Sequence, residues 1–531
     1  MNTMFSCLYI FNCLLCCLIS ISGHFELDSN FNDYPAVSKE PSVSEQSVSA
    51  KGLILEKPSR SGGCLHAYEP LDTLFSSTPD GYEPFYISHF GRHGSRFAGS
   101  EEDFAVIDEL MKYSSRNCSA SLKSSVDSDS TSIAEGKRGE VNLSQTGEQL
   151  LSDLIALKQH SEGRYGQLTQ RGAWEHRSIC KRMYSHYPEV FSNPERRRVI
   201  AVSTNSGRVI ASKENFLEQL VSFAPDLEVS DYTAKDTLEY PAAVLATSGY
   251  PMSKEVRRNE RFPDTGESTA QLMKGFDSRR LRSLLFTFGN NDSLLESNDR
   301  NTALKQMTAL PEAGQNELID DSIFSRIQFC GRHYECIGDT LVPNFEKYFT
   351  AEELYYLWTR ETLIWYAHSC ACDGADHTRM HYYGAGILQT IIEEADSAIA
   401  GNSVAANLRF SHDTYLYPLL ALMGVEGADY QGPAIGALDR VIDFTNVCTA
   451  GNVQFIFYHK SMEPDDAATK ENRKLQQHRS KRVSRNNQTD VLVKILKNEK
   501  EVLIPSLAPA TGCYYNWETL RKYFLQRIAQ F

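Results

Sequence analysis

The sequence predicts an α/β protein in which a sheet domain carries an inserted, mostly α-helical segment, and three observations support this class. Short apolar or alternating runs at residues 84–90, 197–204 and 406–411 have the length and pattern of β-strands. Segments with helical spacing, such as residues 147–158, lie between these runs. The stretch from about residue 216 to 403 keeps helical spacing but has little strand signal, as expected of a helical insertion.

The chain length indicates how these elements are divided. With 531 residues the chain is too long for one compact core, so we expect a main domain and a large insertion. We assign residues 54–215 and 404–531 to the α/β core and residues 216–403 to a helical cap. The sequence has no internal repeat.

The N-terminus has the features of an export signal. Residues 1–22 contain no charged side chain and include an apolar run from Leu8 to Ile21. The small residues Ser20 and Ser22 suit a cleavage site, and we expect an exported protein that is periplasmic, cell-surface or extracellular. No Lys or Arg precedes the run, so an uncleaved membrane anchor is the alternative. The Ser-rich residues 23–53 predict a flexible tether.

Composition narrows the class of function. A hydrophobic content of 41% is typical of a chain with a large buried core, which excludes wholesale disorder. The formal net charge of −14 argues against a general nucleic-acid binder, because the phosphate backbone is held mainly by excess Lys and Arg. An anionic substrate therefore requires a local basic pocket.

The cysteines favour neither a disulfide framework nor a metal site. Four of the 13 cysteines lie in the export segment, which leaves an odd number in the mature chain. Cys330 with Cys336, or Cys370 with Cys372, could pair; scattered buried thiols are the alternative. No CxxC pair has a second pair or suitably spaced histidines, so a structural zinc site is not indicated.

Two polar stretches are predicted to be loops. Residues 114–140 are polar and rich in Ser, as in a surface loop or an insertion. Residues 465–488 separate two strand-like runs, 453–459 and 491–499. The second stretch is basic, so it either contacts an anionic substrate or forms a solvated hairpin loop.

Each of the three predicted strands ends in a polar or charged cluster. Ligands of open α/β sheets bind beyond the carboxyl ends of the strands, so we expect these clusters to meet at one site. The first cluster is Arg92-His93-Gly94-Ser95-Arg96. Two guanidiniums beside one imidazole are unfavourable unless an anion compensates, and Arg geometry matches a phosphate. The arginines also lower the pKa of His93, which keeps a nitrogen lone pair available as a nucleophile. An exposed basic turn is the alternative.

The other two clusters supply complementary groups. Arg208 follows the run ending at Thr204 and opens a helical segment, where it could add to phosphate binding or lie on a surface loop. His412 and Asp413 follow the third run. Beside a phosphate, Asp413 could keep a proton and donate it to a departing alkoxide, while His412 stabilises the phosphoryl oxygens; an ordinary helix cap or ion pair is the alternative.

These clusters, in this order, resemble the acid phosphatase branch of the histidine phosphatase family, which includes phytases and multiple inositol polyphosphate phosphatases. The family motif RHGxR corresponds to Arg92 through Arg96, with His93 as the nucleophile and both arginines on the phosphate. The later phosphate-binding arginine corresponds to Arg208, and the His-Asp dyad corresponds to His412 and Asp413, the proton donor. The segment GQLTQRGAWEH at residues 166–176 is also similar to the family, and the C-terminal half is similar to its bacterial secreted members.

Two positions depart from the pattern. Phe97 stands where many members carry Tyr or His followed by Pro. The inositol polyphosphate branch typically has His-Ala-Glu at the donor position, whereas this chain has His412-Asp413-Thr414, as in the phytase and acid phosphatase branches.

The resemblance implies a phosphoglycerate-mutase-like three-layer core with a helical cap, no required metal or other cofactor, and a phosphohistidine intermediate. It implies a small-molecule phosphomonoester as partner, with inositol polyphosphates such as phytate as the leading substrates. A broad acid or sugar-phosphate phosphatase, a mutase and an inactive phosphate-binding surface protein are the alternatives.

Further basic residues could select a multiply phosphorylated ring. Lys213, Arg257, Arg258 and Arg261 are candidates, and a helical surface is the alternative for them. A second Arg-His pair, at residues 332–333, has no strand before it and is left out of the predicted site.

Overall fold

The computed structural model describes residues 49–70, 75–114, 141–235, 243–249, 275–288, 319–338, 342–370, 381–430, 434–438, 440–461 and 490–530. All of them belong to one unit of the chain, residues 44–531. The predicted export segment, most of the tether and nearly all of both predicted polar loops lie outside these residues. Among the helices within these ranges, none has the length and apolar character needed to cross a membrane.

The strands form one large mixed sheet and one small sheet. In chain order they are β1 Tyr82–Arg92, β2 Val141–Leu143, β3 Arg198–Ser203, β4 Glu228–Thr233, β5 Phe286–Phe288, β6 Val404–Ser411, β7 Asn452–Lys460, β8 Leu492–Lys497, β9 Lys500–Glu501 and β10 Tyr514–Asn516. The large sheet has the order β10-β8-β7-β1-β6-β3-β4, with β9 paired to β8, and β2 pairs with β5. Its half from β1 to β4 is parallel, whereas β7, β8 and β10 are antiparallel to their neighbours.

The α-helices connect these strands. They are α1 Ala50–Glu56, α2 Val106–Met111, α3 Gln145–Ser161, α4 Gln170–His186, α5 Pro188–Ser192, α6 Gly207–Phe223, α7 Ala243–Ser248, α8 Arg279–Leu285, α9 Ser322–Gly331, α10 His333–Ile337, α11 Ala351–Cys370, α12 Gly386–Ile399, α13 Asp413–Met423, α14 Asp443–Asn446 and α15 Trp517–Ala529. Short 3₁₀ segments occupy Pro58–Leu65, Glu101–Phe104, Phe345–Tyr348 and Ala434–Ala437.

Alternation along the strands produces the predicted three layers. On β7, Phe455 and Phe457 belong to one buried cluster, while Ile456 and Tyr458 belong to another. Successive side chains of a strand point to opposite faces, so these two clusters are the two cores on either side of the sheet. The first core packs against α12, α13 and α15, and the second against α4 and α6. The predicted α/β class is confirmed.

The helical part of the molecule is assembled differently from the predicted single insertion. A third buried core joins residues 97–157 to residues 276–357, so segments from both sides of β3 and β4 build it. The predicted boundary after residue 215 falls inside α6, and residues 228–233 form the edge strand β4 of the main sheet. The β4 side chains are exposed or half-buried, and none is fully buried, which leaves little hydrophobic signal for a strand.

The predicted tether ends earlier than expected, because residues 50–53 belong to α1. The Ser49 hydroxyl accepts a hydrogen bond from Gly52 N at 3.1 Å and caps this helix. Ala50 and Ile54 are buried against Trp358 and neighbouring side chains, and this packing stabilises the helix.

The cysteines of the described ranges are free thiols. They include Cys330 and Cys336, so the first of the two disulfides considered from the sequence is absent there. The side chains of Cys370 and Cys372 lie outside the described set.

Candidate active site

The carboxyl ends of three neighbouring parallel strands bring the sequence-predicted residues together. β6 lies between β1 and β3, Arg92 pairs with Ser411, and Ser203 pairs with Phe410. The residues that follow these strand ends are therefore adjacent in space, as the sequence predicted. His93 and His412 contact each other edge to face, with ring centroids 5.4 Å apart.

The backbone after β1 is fixed by hydrogen bonds from both sides. His93 N donates to Ser411 O at 3.0 Å, and Ala450 N donates to His93 O at 2.9 Å. Gly94 N donates to the Ser212 hydroxyl at 3.1 Å. A Cβ atom on Gly94 would lie 2.5 Å from the carbonyl oxygen of Gly172, so only glycine allows this approach of α4 to the turn.

The surroundings of His93 fix which ring nitrogen carries the proton. Nδ1 lies 2.8 Å from Gly94 O. A carbonyl oxygen only accepts, so Nδ1 must donate, and the neutral ring then has its lone pair on Nε2. His93 is buried, and burial together with the charges of Arg92 and Arg208 lowers its pKa well below the usual value. The ring is therefore a neutral nitrogen base in mildly acidic solution.

Three arginines concentrate positive charge around this ring. Burial and the like charges of Arg96 and Arg92 lower the pKa of Arg208 to about 10. Arg208 lies in the first turn of α6. Its guanidinium is close to the loop at Gly166, since a Cβ atom built on that glycine would lie 3.8 Å from Arg208 Nη1. Within the described part of the chain, neither Arg96 nor Arg208 forms an ion pair with a carboxylate. Such clustered, unpaired guanidiniums are unfavourable unless an anion binds between them.

Arg92 is the most deeply placed of the three. Its Nη1 donates to Val447 O at 2.6 Å and to Cys64 O, and its Nη2 lies 3.5 Å from Asp413 Oδ2. The carbonyl groups orient the guanidinium, which leaves it rigid at the floor of the cluster.

The third strand end supplies the His-Asp pair. His412 Nε2 lies 3.2 Å from the Thr204 hydroxyl, and burial followed by the charge of Arg208 lowers the His412 pKa to about 4. Asp413 begins α13. Burial alone would raise the Asp413 pKa, but the charges of Arg92 and His412 outweigh it and lower the pKa. The protein's own charges therefore favour the carboxylate, and the raised pKa that the sequence argument expected requires the phosphate itself.

The structure thus places His93, Arg92, Arg96, Arg208, His412 and Asp413 in one cluster. Two neighbours lie outside the predicted site: His333, which the sequence analysis left out, and Cys64, which it did not consider. His333 is buried near Arg96, whose charge, after burial, contributes to lowering the His333 pKa. Cys64 O receives a hydrogen bond from Arg92.

Of the other basic candidates, the structure describes Lys213. Lys213 is buried and forms an ion pair with Asp231, so it is not available to a ring phosphate. Arg257, Arg258 and Arg261 lie outside the described residues, as does the basic loop at 465–488. No group of His, Cys, Asp and Glu side chains suited to a metal ion occurs in the portions of the chain that the structure describes.

Comparison with known proteins defines the class. The model of the histidine phosphatase superfamily (branch 2) matches residues 91–490. No curated protein sequence matches the chain significantly. Among solved structures, the multiple inositol polyphosphate phosphatase of Bifidobacterium longum complexed with inositol hexasulfate is 17% identical, with a TM-score of 0.57 over 87% of this chain and 97% of that one. Its apo form is 16% identical, with a TM-score of 0.60 over the same shares.

A phytase from D. castellii is similar in the same way. It is 14% identical, with a TM-score of 0.52 over 89% of this chain and 85% of that chain. These structures share the fold of the present chain. The chain belongs to the histidine phosphatase superfamily, branch 2. It is a phosphoric monoester hydrolase.

Proposed function

We propose that the chain is an exported histidine acid phosphatase that hydrolyses phosphomonoesters, above all inositol polyphosphates such as phytate, through a phosphohistidine intermediate. One observation carries the proposal. The Nδ1 proton of His93 is held by Gly94 O, which leaves the Nε2 lone pair on a ring that lies near Arg92 and Arg208. Arg92 lies 3.5 Å from Asp413, and Arg208 has no carboxylate partner among the residues that the structure describes. A nucleophile next to an anion-binding cluster is what phosphoryl transfer requires.

Substrate binding would neutralise the cluster. The guanidiniums of Arg92, Arg96 and Arg208 and the His412 ring would donate to the phosphoryl oxygens. Arg92 is already oriented by two carbonyl groups, so it loses little freedom on binding. These donors would strengthen their bonds as charge develops on the equatorial oxygens.

The first chemical step forms a bond between His93 Nε2 and phosphorus while the bond from phosphorus to the ester oxygen breaks. The departing alkoxide needs a proton, and the Asp413 carboxyl group donates it. A bound phosphate balances the arginine charges that lower the Asp413 pKa and adds repulsion of its own, and both effects favour the protonated carboxyl.

The second step regenerates the enzyme. Asp413, now a carboxylate, accepts a proton from water as that water attacks phosphorus. The bond from phosphorus to Nε2 breaks, and inorganic phosphate leaves with the neutral ring restored. One carboxyl group thus acts as acid and then as base.

The substrate class is inferred from the structural relatives. One relative is a multiple inositol polyphosphate phosphatase solved with inositol hexasulfate, and another is a phytase. The negative net charge of the chain disfavours a nucleic acid, and the arginine cluster offers a local basic site for a small polyanion. The uncharged N-terminal residues 1–22, whether cleaved or retained as a tether, support the proposal of export.

The deciding experiment is phosphate release from phytate and from p-nitrophenyl phosphate at mildly acid pH, with and without a chelator. His93→Ala should reduce release from both by more than about a thousandfold, because it removes the nucleophile. Trapping of ³²P on the wild-type chain, lost in the variant, would identify the intermediate. The ratio of rates separates a phytase from a general phosphatase. Unchanged release by folded His93→Ala would overturn the mechanism.

A further inference from the structure

A buried carboxylate lies directly beneath the turn that carries His93. Glu175 of α4 is fully buried. Ser95 N donates to its Oε2 at 2.8 Å, and the Ser95 hydroxyl donates to its Oε1 at 2.7 Å. Both bonds are made by Ser95, which lies between His93 and Arg96 in the chain. A buried carboxyl group that accepts two short bonds from one residue is a strong restraint on it, and burial raises the pKa of this carboxyl group.

Glu175 also accepts hydrogen bonds from two further chain segments, at Tyr68 and at Thr449. Tyr68 N donates to Oε1 at 3.3 Å, and the Thr449 hydroxyl donates to Oε1 at 3.2 Å. The Thr449 hydroxyl also lies 3.0 Å from that of Ser95, and Arg171 Nε lies 3.6 Å from Oε1. Glu175 therefore has its acceptor sites filled inside the protein, which a buried carboxylate requires.

The bond to Ser95 N has a consequence for His93. The Ser95 N–H and the Gly94 carbonyl belong to one peptide group, which is planar and here trans. Glu175 holds the N–H end of that group at 2.8 Å, and the carbonyl end accepts the His93 Nδ1 proton at 2.8 Å. Fixing one end of a rigid plane fixes the direction of the other.

We propose that Glu175 is a positioning residue that selects the reactive tautomer of His93 through the Gly94–Ser95 peptide group. Glu175 does not touch the phosphate. It orients the peptide whose carbonyl keeps the proton on Nδ1, and the lone pair therefore stays on Nε2, facing the arginines. The proposal rests on the proposed role of His93 as nucleophile.

The restraint matters because Gly94 would otherwise allow the Gly94–Ser95 peptide group to rotate. The bonds at His93 N, His93 O and Gly94 N hold the preceding peptide groups, whereas the Gly94–Ser95 group is held at its N–H end by Glu175. A peptide group next to glycine rotates with little steric cost, so loss of the Glu175 bond would let the Gly94 carbonyl change direction. Without that acceptor, His93 could place its proton on Nε2, where the ring cannot attack phosphorus.

The test compares Glu175→Gln and Glu175→Asp with Glu353→Gln in the full chain. Glu353 is a matched control, because it is also buried and accepts from Arg280 Nε and Thr350 N, but in the helical part of the molecule. For p-nitrophenyl phosphate, Glu175→Gln should lower kcat by about 10- to 100-fold while KM changes by less than about threefold. Glu175→Asp should fall between it and wild type, and Glu353→Gln should keep wild-type kcat.

The tautomer itself is measured by ¹⁵N NMR of histidine-labelled protein, with His93 assigned from the signal missing in His93→Ala. Wild type should carry the proton on Nδ1, and Glu175→Gln should show a mixture or the Nε2-protonated form. If Glu175→Gln does not fold, Glu175→Asp provides the same readout. An unchanged tautomer with unchanged kcat would refute the proposal. If Glu175→Gln shifts the tautomer but the wild-type chain releases no phosphate, the proposed function is refuted and the role of Glu175 stands.

Discussion

The arginines of the helical region and those at the strand ends differ in how closely carboxylates pair with them. In the helical region Arg280 pairs with Glu353, Arg282 with Asp321 and Arg326 with Glu109, at distances of 2.5 to 2.7 Å. Among the arginines that follow the strand ends, Arg92 lies 3.5 Å from Asp413, and Arg96 and Arg208 form no ion pair with a carboxylate of the described residues. Charge that is balanced inside the protein holds the fold, whereas charge left unbalanced by the protein is available to a ligand.

The largest expected effect comes from replacing one arginine of each group, because the two replacements should affect activity and stability in opposite ways. Arg208→Ala should lower kcat/KM by about 100- to 1000-fold, because it removes a donor to the developing phosphoryl charge. Its thermal midpoint should equal or exceed that of wild type, since repulsion with Arg96 and Arg92 is relieved. Arg282→Ala should do the reverse and cost about 1–2 kcal/mol of stability at near-normal kcat/KM. Phosphate release and differential scanning fluorimetry measure both; a large loss of stability in Arg208→Ala would contradict the comparison.

A smaller effect concerns pH. Arg208 is one of the charges that, after burial and Arg92, lower the His93 pKa, so Arg208→Ala should let that pKa rise. The imidazole would then protonate at higher pH, and the acid limb of the kcat/KM profile should move upward. Arg282→Ala should leave the limb in place. A limb that stays fixed in Arg208→Ala would mean that another group controls it.

The sequence predicted the parts of the site that depend on local order. Strands such as β6 are short apolar runs, so the geometry of parallel sheets predicted that His93, Arg208 and Asp413 lie close together. The family resemblance supplied the roles expected of them. Glu175 could not be found in this way. It lies on the buried side of a helix, and only the close approach of Gly172 to Gly94 brings it under the turn.

The boundaries of the helical part were hard to predict for a related reason. Its core is made from two segments on either side of β3 and β4, and nothing within either segment shows that they pack together. β4 itself has exposed and half-buried positions, which give a weak periodic signal. Long-range packing therefore decided what local patterns left open.

A comparison of two buried histidines gives the last and smallest effect. Burial alone would lower the pKa of His66, but Glu335, 2.9 Å from Nδ1, and Glu69, 3.0 Å from Nε2, raise it to about 9. No carboxylate of the described residues forms an ion pair with His93, whose pKa is lowered by burial and by Arg92. A raised folded-state pKa contributes stability that is fully present below the unfolded pKa of about 6.5 and is lost as pH rises through about 9. The stability difference between wild type and His66→Gln should therefore shrink by about 1–3 kcal/mol from pH 6 to pH 9.5. Urea unfolding at several pH values measures it. His459→Gln, which breaks an exposed pair with Glu83, should show no such trend, and a constant difference for His66→Gln would mean that its ion pairs do not stabilise the fold.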